Sequence, residues 1–135
     1  MDQKNQFIPS LHRYWLQANR IREDFLQEAN KRKESNVYNL YIYRDLWLAS
    51  LHTVVVSYRS LELNDPDIVI DESLIYTLEF FRNITYHFEF PSKRDKKITR
   101  LSNLSLKEIN DLHNLLGAYL IRELIIIQKN VGNDF

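Results

Sequence analysis

The sequence predicts an all-α fold, an antiparallel up-and-down bundle of four to five helices that forms one domain over residues 1–135. The chain contains only two glycines and three prolines, and both residue types interrupt helices, so long helices with few connections are expected. Apolar residues recur at spacings of three and four positions, which is the period of a helix with one buried face. An all-β chain would instead need a turn signal about every ten residues.

The first helix is expected to begin after Pro9, with Ser10 as its N-cap. It ends at Lys31-Arg32-Lys33, where positive charge interacts favourably with the helix dipole. We interpret this tripeptide as a helix-end feature rather than as a nucleic-acid patch. The buried stripe of the helix consists of Leu11, Trp15, Ala18, Phe25 and Ala29.

The second helix is expected from about Val37 to Leu61. Apolar side chains cover much of its circumference, which is typical of a central helix or of one that also contributes to an oligomer interface. The segment Asn64-Asp65-Pro66-Asp67 then interrupts the helical pattern. The apolar positions include Leu40, Leu46, Trp47, Leu51, Val54 and Val55.

The third helix is expected to begin near Asp71 or Ser73 and to run to about Phe88. Pro91 ends it, because the residue before a proline avoids the helical conformation. Its buried stripe consists of Leu74, Leu78, Phe81, Thr85 and Phe88.

The fourth helix begins with a capping box, Ser105-Leu106-Lys107-Glu108, in which the side chains of Ser105 and Glu108 satisfy free backbone N–H groups. It continues to about Lys129, and Gly132 marks its tail. Four long helices with short connections indicate an antiparallel bundle.

The composition restricts the classes of function. The 18 basic and 18 acidic side chains cancel, so the chain lacks the basic excess with which proteins hold nucleic acid, and any such contact must be local. The absence of cysteine excludes disulfides, thiolate metal sites and cysteine nucleophiles. No apolar run approaches the roughly 18 residues that cross a bilayer, and the polar N-terminus lacks a signal-peptide core. We therefore expect a cytoplasmic protein with no membrane partner.

One polar constellation stands out at the end of the third helix. Asn83 and His87 are four residues apart and share a helix face, on which Glu79 lies one turn earlier. Arg82 lies about 140° round the helix from His87, but its long side chain can bend toward the same opening. A guanidinium, an amide and an imidazole thus come together on an otherwise apolar helix.

These residue types suit phosphodiester chemistry. An imidazole that titrates near neutrality can take a proton from a ribose 2′-hydroxyl or give one to a leaving oxygen. A guanidinium offers fork-shaped donors to a phosphate and stabilises the charge that develops during transfer. The helix dipole should favour the charged form of His87, which lies in the last helical turn. This scheme requires no metal and no cofactor.

The segment Arg82-Asn83-Ile84-Thr85-Tyr86-His87 resembles the Arg-x-x-x-x-His signature of HEPN domains, with a polar residue directly after the arginine. The stretch from Tyr43 to Phe90 also resembles the two central helices of bacterial stand-alone members of that family. The resemblance implies a HEPN-like bundle and a homodimer that brings both copies of the motif together in a cleft. Many members cut RNA without metal, leave a 2′,3′-cyclic phosphate, and act as toxins or as effectors in phage defence.

The resemblance also implies residue roles, with His87 as the acid–base residue, Arg82 as the phosphate contact and Asn83 as the positioning residue. We therefore expect a metal-independent ribonuclease of toxin–antitoxin or phage-defence type, with RNA as its substrate. An antitoxin or a defence-system protein is the expected partner. Some members carry a tyrosine two residues after the histidine, which a partner enzyme modifies. This chain has Glu89 at that position, so the resemblance does not extend to that mode of control.

The connection after the motif is strongly basic. Residues 92–100 hold five basic side chains and one acidic side chain. Because this loop directly follows the motif, we expect it to contact the RNA backbone; a solvated connection kept soluble by its charge is the alternative. The expected RNA contacts are Lys93, Arg94, Lys96, Lys97 and Arg100.

Other interpretations of the motif stay open. Arg82 can instead pair with Glu79 or Glu89 while His87 caps helix carbonyls, in which case the motif carries no chemistry. The chain is then a non-catalytic dimeric module that binds RNA or a partner protein, or a purely structural dimeric bundle.

The remaining histidines and the tryptophans are interpreted as structural. His12, His52 and His113 lie on separate helices and lack the spacing of metal ligands. Trp15 and Trp47 fall at helical spacing, which favours the core or a dimer interface over stacking platforms for bases.

Overall fold

The structure is a computed structural model that describes residues 3–31, 34–86 and 106–133. The described residues form four helices and no strand, which confirms the all-α bundle predicted from the sequence. None of these helices combines the length and the apolar character that crossing a bilayer requires. The helices are α1 (Gln3–Asn30), α2 (Val37–Ser60), α3 (Glu72–Tyr86) and α4 (Leu106–Asn133).

α1 begins earlier than the sequence suggested, at Gln3, and Pro9 lies inside it. The expectation that this helix starts after Pro9 with Ser10 as its N-cap is therefore wrong. A proline inside a helix removes one backbone hydrogen bond and strains the preceding turn. Ile8 offsets that cost, because it is fully buried in the same core cluster as Leu11.

α2 is the central helix, and it packs against both α1 and α3. The side chain of Asn36 caps its first turn by accepting hydrogen bonds from the backbone N–H groups of Tyr38 and Asn39, at 2.9 and 3.2 Å. The apolar circumference seen in the sequence is explained by this central position. The buried residues of α2 are Trp47, Leu48, Ala49, Leu51, Val54, Val55 and Tyr58.

α2 and α3 form an antiparallel pair. The guanidinium carbon of Arg44, near the start of α2, lies 5.0 Å from the ring centroid of Phe81, near the end of α3. At the other end of the pair, Arg59 forms a 3.0 Å ion pair with Glu72. Residue numbers thus rise along one helix as they fall along the other, as predicted for an up-and-down bundle.

The start of α3 agrees with the sequence. The Oδ1 atom of Asp71 accepts hydrogen bonds from the backbone N–H of Leu74 at 2.8 Å and from the hydroxyl of Ser73 at 2.9 Å. Asp71 is therefore the N-cap of α3. The helix is described as far as Tyr86, and its predicted end near Phe88 lies outside the described residues.

α4 is longer than predicted, since it continues past Lys129 and through Gly132 to Asn133. A glycine costs a helix only about 1 kcal/mol, so Gly132 does not force the helix to end. Ser105 of the predicted capping box lies outside the described residues.

A buried polar network joins α4 to α1 and α2. The indole Nε1–H of Trp15 donates to the backbone carbonyl of His113 at 2.8 Å, and the indole of Trp47 donates to His113 Nδ1 at 3.1 Å. Because Nδ1 accepts, Nε2 carries the ring proton and donates it to Asn19 Oδ1, 3.1 Å away. His113 is fully buried, and both tryptophans lie in the core, as the sequence suggested.

Arg22 extends this network along the α1–α4 contact. Its guanidinium donates to the side-chain oxygens of Asn110 at 2.9 Å, Asn114 at 2.6 Å and Asn19 at 2.8 Å. A carboxylate oxygen of Glu23 lies 3.7 Å from the same guanidinium. Arg22 is only 8 % exposed, so these amides replace the water that would otherwise solvate its charge.

Candidate functional site

Arg82 and Asn83 lie in the last two turns of α3 as the structure describes it. The preceding residues, Phe80 and Phe81, are only 4 % and 8 % exposed and fix this part of the helix against the core. The side chain of Arg82 is exposed, and Asn83 is half-buried. The residue that the sequence predicted as the phosphate contact therefore faces solvent.

The third predicted catalytic residue, His87, lies outside the described residues, and so does the basic loop that follows it. Of the predicted catalytic set, the structure therefore describes Arg82 and Asn83. The predicted RNA contacts that lie outside the described residues are Lys93, Arg94, Lys96, Lys97 and Arg100.

A histidine of α2, His52, faces this part of α3. The register of the two helices is fixed at one end by Arg44 against Phe81 and at the other by Arg59 against Glu72. Position 52 lies midway between Arg44 and Arg59, so it is level with positions 76–77 of α3, midway between Glu72 and Phe81. His52 is half-buried there.

Helix geometry tilts the side chains of His52 and Arg82 along their helix axes toward a common level. Side chains of an α-helix point back toward its N-terminus. Because α2 and α3 run in opposite directions, the His52 side chain leans toward the C-terminal end of α3, whereas the Arg82 side chain leans back toward the middle of α3. Glu79 occupies an intermediate level along the α3 axis and is exposed.

Two charges on α3 act on the His52 imidazole. Burial lowers the pKa of His52 below its ordinary value of 6.5, and the positive charge of Arg82 lowers it further, whereas the negative charge of Glu79 raises it. Since the net shift is downward, the imidazole is neutral at pH 7 and able to accept a proton.

A small open pocket lies beside Tyr86, the last described residue of α3. It has a volume of about 160 Å³ and includes Thr53, which directly follows His52, and Tyr86, which follows Arg82 by one turn. Its hydroxyl and amide groups suit hydrogen bonding to a sugar–phosphate ligand. The other lining residues are Tyr14, Gln17 and Ser50.

A second guanidinium, that of Arg44, lies near Phe81 on the neighbouring helix. Arg44 stacks over the rings of Tyr41 at 4.9 Å and Phe81 at 5.0 Å, and it forms a 2.9 Å ion pair with Asp45. These contacts fix its position and compensate its charge. We therefore interpret Arg44 as a support for the end of α3 rather than as a phosphate contact.

The side chains in this region carry chemical groups of the kinds that suit a ribose phosphate. Arg82 presents fork-shaped donors to phosphate oxygens, His52 presents a neutral imidazole, and Asn83 presents an amide that can orient either group. Within the described ranges, no group of three or more histidine, aspartate or glutamate side chains is arranged to hold a metal ion.

Sequence reasoning treated His52 as an isolated histidine and did not connect it with Arg82. The signal was present in the connection between α2 and α3. Positions equally far from the turn of an antiparallel helix pair face each other. Position 52 of α2 therefore lies level with α3, within two turns of Arg82.

The other described histidines have different surroundings. His113 is fully buried and has both ring nitrogens hydrogen-bonded. His12 stacks on Trp15 with ring centroids 6.0 Å apart. By contrast, neither ring nitrogen of His52 is hydrogen-bonded to another residue within the described part of the chain.

Comparisons with known proteins add no relative. No protein-family model matches the chain, and neither a curated protein nor a solved structure matches it. The site is therefore interpreted from its residues and their geometry.

Proposed function

We propose that this chain is a metal-independent endoribonuclease of the HEPN type that acts as a homodimer. The observation that carries the proposal is the exposed guanidinium of Arg82 at the end of α3, beside Asn83. His87, predicted from the sequence motif, supplies the acid–base imidazole. Arg82 contacts the scissile phosphate, and Asn83 positions the reacting groups.

The reaction is an internal transfer of the phosphoryl group. The ribose 2′-oxygen loses its proton to a base and attacks the neighbouring phosphorus, while the bond from phosphorus to the 5′-oxygen breaks. The departing oxygen takes up a proton, so the products are a 2′,3′-cyclic phosphate and a 5′-hydroxyl. Arg82 stabilises the negative charge that builds on the phosphate oxygens during this step.

The wider setting follows from the same resemblance. The basic residues from Lys93 to Arg100 contact the RNA backbone near the motif, which compensates locally for a net charge of zero. The protein acts in the cytoplasm as a toxin or a phage-defence effector, and an antitoxin or defence-system protein restrains it.

Substitution of Arg82 tests this function directly. In EDTA, the purified wild type should cleave single-stranded RNA, and Arg82→Ala should reduce the cleavage rate by about 100-fold or more, because one preorganised charged donor is lost. His87→Ala should have a similar effect. Rates are measured with a fluorescently labelled RNA.

Arg59→Ala is the matched control. Arg59 is a partly exposed arginine of the same helix pair, but it contacts Glu72 at the end remote from Arg82. This variant should cleave RNA at the wild-type rate. Equal cleavage by the wild type, Arg82→Ala and His87→Ala would indicate a contaminating nuclease and remove the proposal.

The second candidate is a non-catalytic dimeric module that binds RNA or a partner protein. The balance of 18 basic and 18 acidic residues favours it, because efficient capture of RNA usually needs a basic excess. This candidate predicts binding without cleavage products and little effect of His87→Ala on affinity.

A further inference from the structure

We propose that the outer face of α4, from Asp111 to Lys129, binds the same face of a second copy of the chain, with the two α4 helices antiparallel. Such a contact is symmetric, because each copy contributes the same residues and a two-fold axis relates them. The evidence is an exposed apolar surface whose charges are complementary to themselves in one arrangement.

The outer face of α4 is apolar where a solvated helix is usually polar. The opposite face packs on the bundle and includes the buried Leu112, Leu116 and Leu120. Away from that face, four large apolar side chains are between 38 % and 50 % exposed, and an apolar surface of this kind marks a contact with another molecule. These four residues are Leu115, Ile121, Ile125 and Ile126.

The exposed positions recur with the spacing of a coiled-coil seam. From residue 111 to residue 129 the intervals alternate between four and three residues, which is the pattern with which one helix packs along another. The seam extends over roughly five helical turns. It consists of Asp111, Leu115, Ala118, Arg122, Ile125 and Lys129, all of which are exposed.

The charges at the ends of the seam select the antiparallel arrangement. In a parallel pair, Asp111 would lie opposite Asp111 and Lys129 opposite Lys129, so like charges would meet at both ends. In an antiparallel pair centred between Ala118 and Arg122, Asp111 of each copy lies opposite Lys129 of the other. The two-fold axis then generates two ion pairs, one at each end of the contact.

The same register matches the residues between these ends. It places Leu115 opposite Ile125 of the second copy, Ala118 opposite Arg122, and Ile121 close to the two-fold axis. The charge of Arg122 is already compensated by an ion pair with Asp65 of its own chain. Its methylene stem is therefore available to pack on the small side chain of Ala118.

This contact is separate from the proposed ribonuclease site. Arg122, in the middle of the seam, pairs with Asp65 in the connection that follows α2. Arg82 directly follows Phe81, which contacts Arg44 near the start of α2. Because the contact inverts one bundle relative to the other, the two Arg82 side chains lie at opposite ends of the assembly. The α4 contact therefore does not form the cleft that the HEPN resemblance implies.

Gel filtration with light scattering tests the surface. Ile125→Asp places a carboxylate opposite Leu115 at two points of the assembly and should halve the molar mass relative to the wild type, because these carboxylates would be desolvated without a partner. Ile125 is exposed in the single chain, so the variant should fold, and circular dichroism checks that it does.

Val56→Asp is the matched control. Val56 is also an exposed β-branched residue within a helix, but it lies on α2 beside Arg59 and Ile75. This variant should keep the wild-type mass. Equal masses for the wild type and Ile125→Asp would overturn the inference and leave the outer face of α4 to a different protein.

A charge exchange tests the register. Asp111→Lys opposes like charges at both ends of the contact and should raise the Kd of self-association about tenfold, and Lys129→Asp should do the same. The double variant Asp111→Lys/Lys129→Asp restores opposite charges and should recover the wild-type Kd. Sedimentation equilibrium measures these constants.

A double variant that associates no more tightly than either single variant would overturn the antiparallel pairing on which the inference depends. Neither measurement involves RNA. Self-association through α4 and cleavage by the Arg82 site can therefore fail independently of each other.

Discussion

Replacement of Gly117 by alanine is expected to destabilise the protein by about 3 kcal/mol, at the upper end of the range for overpacked cores. A Cβ atom at this position would lie 2.2, 2.6 and 2.8 Å from three carbons of the Trp15 indole. Such contacts do not occur between real atoms, so either the indole or α4 has to move. Helix propensity alone predicts the opposite sign, a gain of about 1 kcal/mol.

The indole of Trp15 has little freedom to give way. It is only 9 % exposed, its Nε1–H donates to the carbonyl of His113 at 2.8 Å, and its ring packs 5.1 Å from the His113 ring. Moving it would break this hydrogen bond inside the core and leave a buried donor without an acceptor. Gly117→Ala therefore destabilises the packing of α4 against α1.

Urea unfolding measures this effect, with Ala118→Gly as the neighbouring control. Ala118 is exposed on α4, so its replacement should cost only the helix propensity, about 1 kcal/mol. A double-mutant cycle with Trp15→Phe should show coupling of about 1 kcal/mol or more, because the smaller ring relieves the clash. Stabilisation by Gly117→Ala would contradict the packing described for Trp15.

Acidification below pH 6.5 is expected to remove stability through His113. Burial lowers the pKa of His113 to about 3, and the positive charge of Arg22 contributes to the shift. The unfolded chain binds this proton near pH 6.5 and the folded chain does not, so the stabilisation is complete above pH 6.5 and falls as the pH drops toward 3. The loss amounts to roughly 1.4 kcal/mol per pH unit, or about 5 kcal/mol in all.

The hydrogen bonds of His113 give the reason. Its Nδ1 accepts from the indole of Trp47, and its Nε2 already carries a proton toward Asn19. A second proton on Nδ1 would set two donors against each other, and the nearby Arg22 would repel the new charge. The neutral ring is the only form that this network accommodates.

NMR titration of the His113 ring and urea unfolding between pH 7 and pH 4 measure this effect. The ring should stay neutral to pH 4 in the folded protein. Unfolding of His113→Gln should take up about one proton fewer than unfolding of the wild type. The free energy of unfolding of this variant should therefore fall less steeply with decreasing pH, whatever its value at pH 7. Titration of His113 near pH 6.5 without unfolding would contradict this account.

The sequence predicted those features that depend on nearby residues. The break at Asn64–Asp67 and the expected helix start near Asp71 or Ser73 placed the α2–α3 connection correctly, because both signals act within a few residues. The start of α1 was wrong, because Pro9 is a local signal that the long-range burial of Ile8 overrides.

The polar network of the core could not be predicted from the sequence. His113 meets Trp15 and Trp47, which lie 98 and 66 residues away along the chain, and only the assembled bundle brings them together. The same limit applied to the site. Arg82 was singled out by its motif, but its relation to His52 depends on the register of two helices rather than on spacing within one.

The chemistry of the cleaved ends is the most direct test of the central claim that Arg82 and His87 cleave RNA without metal. A defined single-stranded RNA is incubated with the wild type and with Arg82→Ala in EDTA. The masses of the products are then measured by mass spectrometry, which identifies their ends. The account predicts 2′,3′-cyclic phosphate and 5′-hydroxyl ends from the wild type, and intact RNA with the variant. Intact RNA with the wild type, or identical products from both proteins, would contradict it.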